Sequence, residues 1–323
     1  IKGRSSVRTL VLTALSLGMV SALLLHPSPG LSQQAPVVQI NAVDVSAYPS
    51  IKATVTVVDG TQRPVVGLGA EAFAATIGGG SVPLTGVASS SDPGLGIAVV
   101  LTFDVSGSMQ GAAIVAAKEA GKALIGQLGP EDQATVLAFS DAVSVVQPFT
   151  QDRAALNAAI DGLLIGGNTA LYNAVVQSAS IQAPPLPRRA VVLLSDGTDF
   201  GGASQVDAAG SLAAVQASGV PFFLVGLGEL VDQPYLEQLA AASHGQLLLA
   251  PDPTALSALY ESIGSILRHQ YVLTIDAGAA VGAALSISVT AGGSTGAAVT
   301  DLQLPVTPVA VSPSDTVSPA PAT

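Results

Sequence analysis

Continuous apolar runs alternate with segments of helical pattern through the middle of the chain. Between residues 96 and 270 the apolar runs read IAVVLTF, ATVLAFS, AVVLLS, PFFLVGLG and GQLLLA, and alanine- and leucine-rich segments lie between them. Strands that are apolar on both faces belong in a sheet that helices cover on both sides. The pattern therefore predicts an α/β fold with a doubly wound, mostly parallel sheet, and Asp152 is the predicted N-cap of one helix.

Patterns of period two flank this block on both sides. In IKATVTVVDG (51–60) and LSISVT (285–290), apolar residues take every second position, which predicts β-strands with one buried face. RPVVGL and SVPLTGV indicate further short strands. Each flank is too small to bury a sheet by itself. We therefore expect the flanks to pair into one small β-sandwich, with the α/β domain inserted between them.

The two ends of the chain differ from the rest in composition. Basic residues precede the apolar stretch at 10–25, and prolines and small residues follow it, which is the layout of a secretory signal. The C-terminal residues are rich in Pro, Ser and Thr, as in a linker or tail. The predicted organisation is a signal peptide at 1–35, a β-rich segment at 36–92, an α/β domain at 93–270, a β segment at 271–304 and a linker or tail at 305–323.

The export signal and the charge balance limit the location and the partners. The signal predicts a secreted or cell-surface protein, which contacts a membrane only through an uncleaved signal anchor or a missing C-terminal segment. The 323 residues include 11 Lys and Arg against 22 Asp and Glu, a net charge of −11. Nucleic-acid binding requires a basic surface, so no nucleic-acid partner is expected.

The sequence offers few residues for catalysis or for soft metal ions. It has no Cys, and its three His are far apart, which excludes disulfides and argues against a zinc site with the usual ligands. It contains no G-x-S-x-G elbow at a strand-to-helix turn (GGSTG at 292–296 lies within the predicted β segment), no H-E-x-x-H pair and no phosphate-binding P-loop. We therefore predict that the protein is not an enzyme.

Oxygen-bearing residues follow the predicted strands. Asp104 ends the first strand of the α/β domain, Ser106 and Ser108 follow it, Thr169 precedes a helix, and Asp196 follows a later strand. In open α/β sheets, ligands bind at the carboxyl ends of the strands. Hard oxygen donors suit a divalent cation, Mg²⁺ first, with Mn²⁺ or Ca²⁺ as alternatives. Two carboxylates leave such an ion able to attract a further carboxylate from outside.

These motifs resemble the von Willebrand factor A family. DVSGSM resembles the Asp-x-Ser-x-Ser motif of the family, and GGNTALYNAV and LLSDGTD match the family's threonine and second aspartate. The resemblance covers about residues 96–268 and implies a Rossmann-like fold with a metal-ion-dependent adhesion site at Asp104, Ser106, Ser108, Thr169 and Asp196. The preceding stretch VVDGTQRPVVGLGAEAF resembles the β-rich segment of a secreted bacterial branch.

The resemblance implies an exported binding module that holds a cation and grips an acidic group of a protein or glycan partner. One alternative is a structural or assembly subunit of a cell-surface complex with a non-essential metal site. The other alternative is a hydrolase that uses the metal, although no general base is evident beside the site. Ser106 can also serve as a helix N-cap. We expect Asp141 to be a turn residue and Asp199 to be a surface acid.

Overall fold

The computed structural model describes residues 35–278 and 284–302. Residues 1–34 of the predicted signal peptide and the whole predicted tail at 305–323 lie outside this part of the chain. Within it, no helix is long and apolar enough to cross a membrane.

The described residues form fourteen strands and six α-helices. In chain order, the strands are β1 (Val37–Asp44), β2 (Ser50–Val58), β3 (Phe73–Ile77), β4 (Gly80–Val82), β5 (Leu84–Ser89), β6 (Ile97–Asp104), β7 (Gln133–Phe139), β8 (Val143–Thr150), β9 (Arg188–Ser195), β10 (Phe222–Leu227), β11 (Gln246–Ala250), β12 (Tyr271–Asp276), β13 (Ala284–Ala291) and β14 (Ser294–Asp301). The helices are α1 (Ala112–Gln127), α2 (Arg153–Asp161), α3 (Leu171–Ser180), α4 (Ala208–Ser218), α5 (Gln233–Ala242) and α6 (Leu256–Arg268).

The α/β domain is built on a six-stranded sheet with the order β11-β10-β9-β6-β7-β8. Neighbouring strands are parallel, except that β7 and β8 are antiparallel. Helices α1, α2 and α6 pack together on one face, and α3, α4 and α5 pack on the other. Every residue of β6 and of β10 is buried, as their continuous apolar sequences require. The predicted doubly wound, mostly parallel sheet is confirmed.

A side-chain cap sets the start of helix α2, and a glycine sets the distance of helix α1 from the sheet. The Asp152 side chain accepts hydrogen bonds from the backbone N–H groups of Ala154 and Ala155 at 2.9 and 3.1 Å, which confirms it as the N-cap of α2. Helix α1 approaches β6 closely at Gly121, where a Cβ atom would lie 2.5 Å from Cζ of Phe103. Glycine therefore allows α1 to pack directly over the end of β6.

The flanking segments form two four-stranded sheets, β1-β2-β12-β5 and β14-β13-β3-β4. Each sheet contains strands from both flanks, because β12 pairs with β2 and β5, and β13 pairs with β3. The alternating apolar positions predicted in β2 and β13 are buried between the sheets. The predicted strand at RPVVGL is wrong. This stretch makes only an isolated bridge between Val58 and Pro64, since Pro64 has no N–H to donate and Gly67 has a φ of +74°.

Arg188, at the start of β9, joins the α/β domain to the sandwich. Its buried guanidinium donates to the backbone oxygens of Leu95 and Leu267 at 2.8 and 2.7 Å and to Oε1 of Gln270 at 3.2 Å. The amide of Gln270 in turn contacts Asn41 Oδ1 of β1 at 3.3 Å. The junction thus lies at the amino ends of the parallel strands.

Candidate metal centre

Two carboxylates lie at the carboxyl ends of the adjacent parallel strands β6 and β9. Asp104 is the last residue of β6, and Asp196 follows the last residue of β9, Ser195. The parallel register places Phe103 opposite Leu194, so Asp104 lies beside Ser195. The Ser195 hydroxyl donates to Asp104 Oδ2 at 2.7 Å, which fixes the orientation of this carboxylate.

The loop after β6 brings both predicted serines to these carboxylates. The backbone N–H of Ser106 donates to Asp104 Oδ1 at 2.9 Å, and a short 3-10 turn follows at Gly107–Met109. The hydroxyls of Ser106 and Ser108 are 3.1 Å apart, and that of Ser108 donates to Asp196 Oδ1 at 2.8 Å. The Ser106 side chain makes no capping hydrogen bond, so its hydroxyl belongs to this cluster.

Backbone hydrogen bonds bring Thr169 to the same cleft. Gly166 N–H donates to the Val105 oxygen at 2.9 Å, and Gly107 N–H donates to the Gly167 oxygen at 3.2 Å. Thr169 is buried and lines a cleft of about 520 Å³ together with Ser106, Ser108 and Asp196. The fold therefore places the five residues predicted from the sequence at one edge of the sheet.

The main electrostatic feature of the cleft is a buried acid that has no cationic partner. Asp104 is fully buried. Burial, with a smaller contribution from Asp196, raises the pKa of Asp104 to about 6, although hydrogen bonds from Ser106 and Ser195 oppose the rise. Burial also raises the pKa of Asp196. Among the described residues, the ion pairs all involve Lys122, so no Lys or Arg compensates either carboxylate.

Two further acids hold the loops of the cleft in place, a role that the sequence did not reveal. Asp141 Oδ1 accepts hydrogen bonds from the backbone N–H and the side-chain amide of Asn168 at 2.9 and 2.8 Å. Asp199 Oδ1 accepts one from the backbone N–H of Tyr172 at 3.2 Å and another from the Ser204 hydroxyl. The available signals were that Asp141 follows the end of β7 and that Asp199 lies three residues after Asp196.

A family model and two protein chains are similar to this chain. Residues 99–198 match the model of the von Willebrand factor type A domain, and this range includes the five residues of the cleft. A UPF0353 protein of Mycolicibacterium vanbaalenii is 28% identical over 216 residues, which are 57% of this chain and 63% of that protein. The chain thus spans less than two thirds of that relative. A mussel byssus protein, proximal thread matrix protein 1 with a zinc occupied MIDAS motif, is 19% identical with a TM-score of 0.49, over 58% of this chain and 49% of that chain.

A solved structure shares the fold over most of the chain. The von Willebrand factor type A protein from Catenulispora acidiphila is 16% identical, with a TM-score of 0.51, over 84% of this chain and 74% of that chain. The matched range 99–198 starts inside β6 and ends just after β9, in the sheet described above. The chain therefore contains a von Willebrand factor type A domain.

Proposed function

We propose that the domain binds a divalent cation in the cleft and uses it to hold an acidic group of a protein or glycan partner, outside the cell or at its surface. The observation that supports this proposal is the buried Asp104 carboxylate, which contacts hydroxyl and amide groups but no Lys or Arg. A buried charge without a counter-charge is costly, and a cation in the cleft would compensate it.

The residues present fit a hard cation. Asp104, Ser106, Ser108, Thr169 and Asp196 would hold it, and all five offer oxygen, which suits Mg²⁺, with Mn²⁺ or Ca²⁺ as alternatives. No group of three or more His, Cys, Asp or Glu within the described ranges is placed to hold a metal. The site therefore depends on its hydroxyls as well as on its two carboxylates.

When bound, the cation would supply positive charge to an otherwise acidic surface. The chain's own residues hold the carboxylates in place, since Ser195 and the Ser106 N–H orient Asp104 before any ligand arrives. The cleft is lined by no His, Lys, Glu or Cys, and its acid, Asp196, would be a ligand of the cation, so no general base is left for catalysis. For this reason we propose binding rather than catalysis.

Isothermal titration calorimetry and thermal unfolding with Mg²⁺, Mn²⁺ and Ca²⁺ test the metal site. A cation at one hundred times its Kd should stabilise the folded chain by about 2.7 kcal/mol. Asp104→Asn should abolish binding, whereas Asp301→Asn, an exposed acid at the end of β14, should not change it. Absence of binding to the folded wild-type chain would contradict the proposal.

The effect of chelation separates the binding module from the assembly subunit. If the cation holds the partner, EDTA should release the partner and Asp104→Asn should prevent its binding. Partner binding that survives both changes would instead favour a structural role in a cell-surface complex. Turnover of a hydrolase substrate that Asp104→Asn abolishes would favour an enzyme.

A further inference from the structure

Two large apolar side chains are exposed in the cleft beside the metal-site residues. Phe200 is 65% exposed and Leu230 is 80% exposed, and both line the cleft together with Ser108 and Asp196. Single exposed apolar residues are normal on protein surfaces. A pair that shares one cleft with a cluster of polar side chains is typical of a binding site.

The loops that carry this apolar pair are held by backbone hydrogen bonds. The N–H of Phe200 donates to the Thr169 oxygen at 3.0 Å, which ties its loop to the loop of the metal site. Gly228, two residues before Leu230, donates to the Ala250 oxygen at 2.8 Å. The backbone near each side chain is therefore positioned before a partner binds, which lowers the entropic cost of binding.

The loops around the cleft are acidic, and the ammonium of Lys118 on α1, which reaches one of them, donates to the backbone oxygens of Asp161 and Leu163 at 2.9 Å. The loops at this edge of the sheet include 105–111, 140–142, 162–170, 196–207 and 228–232, and none of these contains Lys, Arg or His. They contain the acids Asp141, Asp196, Asp199, Asp207, Glu229 and Asp232. A partner rich in acidic groups would be repelled by these loops, whereas basic groups around a single carboxylate would be attracted.

We propose that the occupant of the cleft is a peptide segment of a partner protein that carries one Asp or Glu, an apolar side chain next to it, and Lys or Arg nearby. This proposal rests on the proposed function, because the cation must hold the carboxylate. The apolar side chain packs against Phe200 and Leu230, and the basic residues face the acidic loops. An acidic glycan fits less well, since its hydroxyl groups gain little from Leu230 and it brings no positive charge.

Selection from a random peptide library tests this proposal. The library is displayed on phage, bound to the immobilised full chain in millimolar MgCl₂ and eluted with EDTA. We expect the enriched peptides to carry an acid beside an apolar residue, with Lys or Arg close by. One enriched peptide is then synthesised, and its affinity is measured for wild type and variants.

The variants separate the apolar pair from the metal site. Phe200→Ser with Leu230→Ser should weaken peptide binding by about tenfold and leave the calorimetric Mg²⁺ affinity unchanged. Leu164→Ser is the matched control, because Leu164 is 85% exposed but does not line the cleft. Replacing the acid of the peptide by its amide should abolish binding to every variant.

Several results would overturn the proposal while leaving the metal site intact. They are enriched peptides without apolar or basic neighbours of the acid, equal affinity for the double variant, and no enrichment although Mg²⁺ binds. Mg²⁺-dependent binding to an acidic glycan array would assign the cleft to a glycan, and Mg²⁺-dependent self-association lost in the double variant would assign it to a second copy of the chain. Absence of Mg²⁺ binding by calorimetry would instead remove the proposed function itself.

Discussion

At the scale of single residues, the raised pKa of Asp104 gives the metal-free protein an unusual dependence on pH. Between pH 3.8 and about 6, the carboxyl is ionised in the unfolded chain but protonated in the folded one. The stability that this group contributes is therefore fully present below pH 3.8. About 3 kcal/mol is lost as the pH rises from there to about 6. Asp104→Asn, which cannot ionise, should lack this loss and should be the more stable protein near neutral pH.

Urea unfolding in EDTA over this pH range measures the difference between the two proteins. The Ser195 hydroxyl, which now donates to Asp104 Oδ2, can rotate to accept from the amide, so the variant keeps its local hydrogen bond. If the free energies of unfolding of wild type and Asp104→Asn change with pH in the same way, this carboxyl does not titrate as described.

The five residues of the cleft should contribute unequally to cation affinity. Asp196→Ala removes a charged oxygen that no neighbour replaces, and should abolish Mg²⁺ binding. Ser106→Ala and Thr169→Ala remove neutral oxygens that water can partly replace, and should weaken binding less. Calorimetry on each variant measures this order, with Ser81→Ala, an exposed serine of β4, as control. A serine variant as defective as Asp196→Ala would contradict it.

The sequence predicts which residues meet at the ends of strands, but it does not predict contacts that depend on loop conformation. Asp104 and Asp196 follow apolar strands, and parallel strands bring their carboxyl ends together, so their meeting could be predicted. The bonds from Asp141 to Asn168 and from Asp199 to Tyr172 join residues 27 positions apart through loop conformation. No local pattern specifies such a contact, and these supports emerged only from the structure.

At the scale of elements, helix α1 should respond in opposite ways to the same substitution at two of its glycines. Gly121→Ala places a methyl group 2.5 Å from Phe103 Cζ and should destabilise the protein by about 1–3 kcal/mol, through displacement of α1 from β6. Gly126→Ala meets no atom within 4 Å and should stabilise it by about 0.5–1 kcal/mol, through helix propensity. Chemical denaturation measures both, and equal effects would contradict the close packing at Gly121.

The strands illustrate where hydrophobic patterns succeed and where they fail. The continuous apolar runs of β6 and β10 identified buried central strands, because burial on both faces leaves that signature. RPVVGL has the composition of a strand, but Pro64 and Gly67 prevent a ladder. SVPLTGV became the two strands β4 and β5, with Pro83 between them. The apolar content of a segment gives no information on a missing backbone N–H or on a positive φ.

At the scale of the molecule, Arg188 should control how firmly the two parts of the chain are joined. Arg188→Ala would leave the buried oxygens of Leu95, Leu267 and Gln270 without this donor, at a cost of about 3 kcal/mol or more in stability. Arg63→Ala, at an exposed arginine in the sandwich, is the control and should cost little. Denaturation curves test this, and a loss equal to that of the control would contradict the role of Arg188.

The path of the chain through β6 has a mechanical consequence. The strand begins just after the segment that leaves the sandwich at Ser89, and it ends at Asp104 in the cleft. If a partner is held in the cleft as proposed, tension between it and the sandwich would therefore run along β6. Parallel neighbours, β7 and β9, flank this strand on both sides, so the pull would load both rows of hydrogen bonds in shear, all at once rather than one after another. A strand in this position resists extraction, and an attachment built on it can bear load.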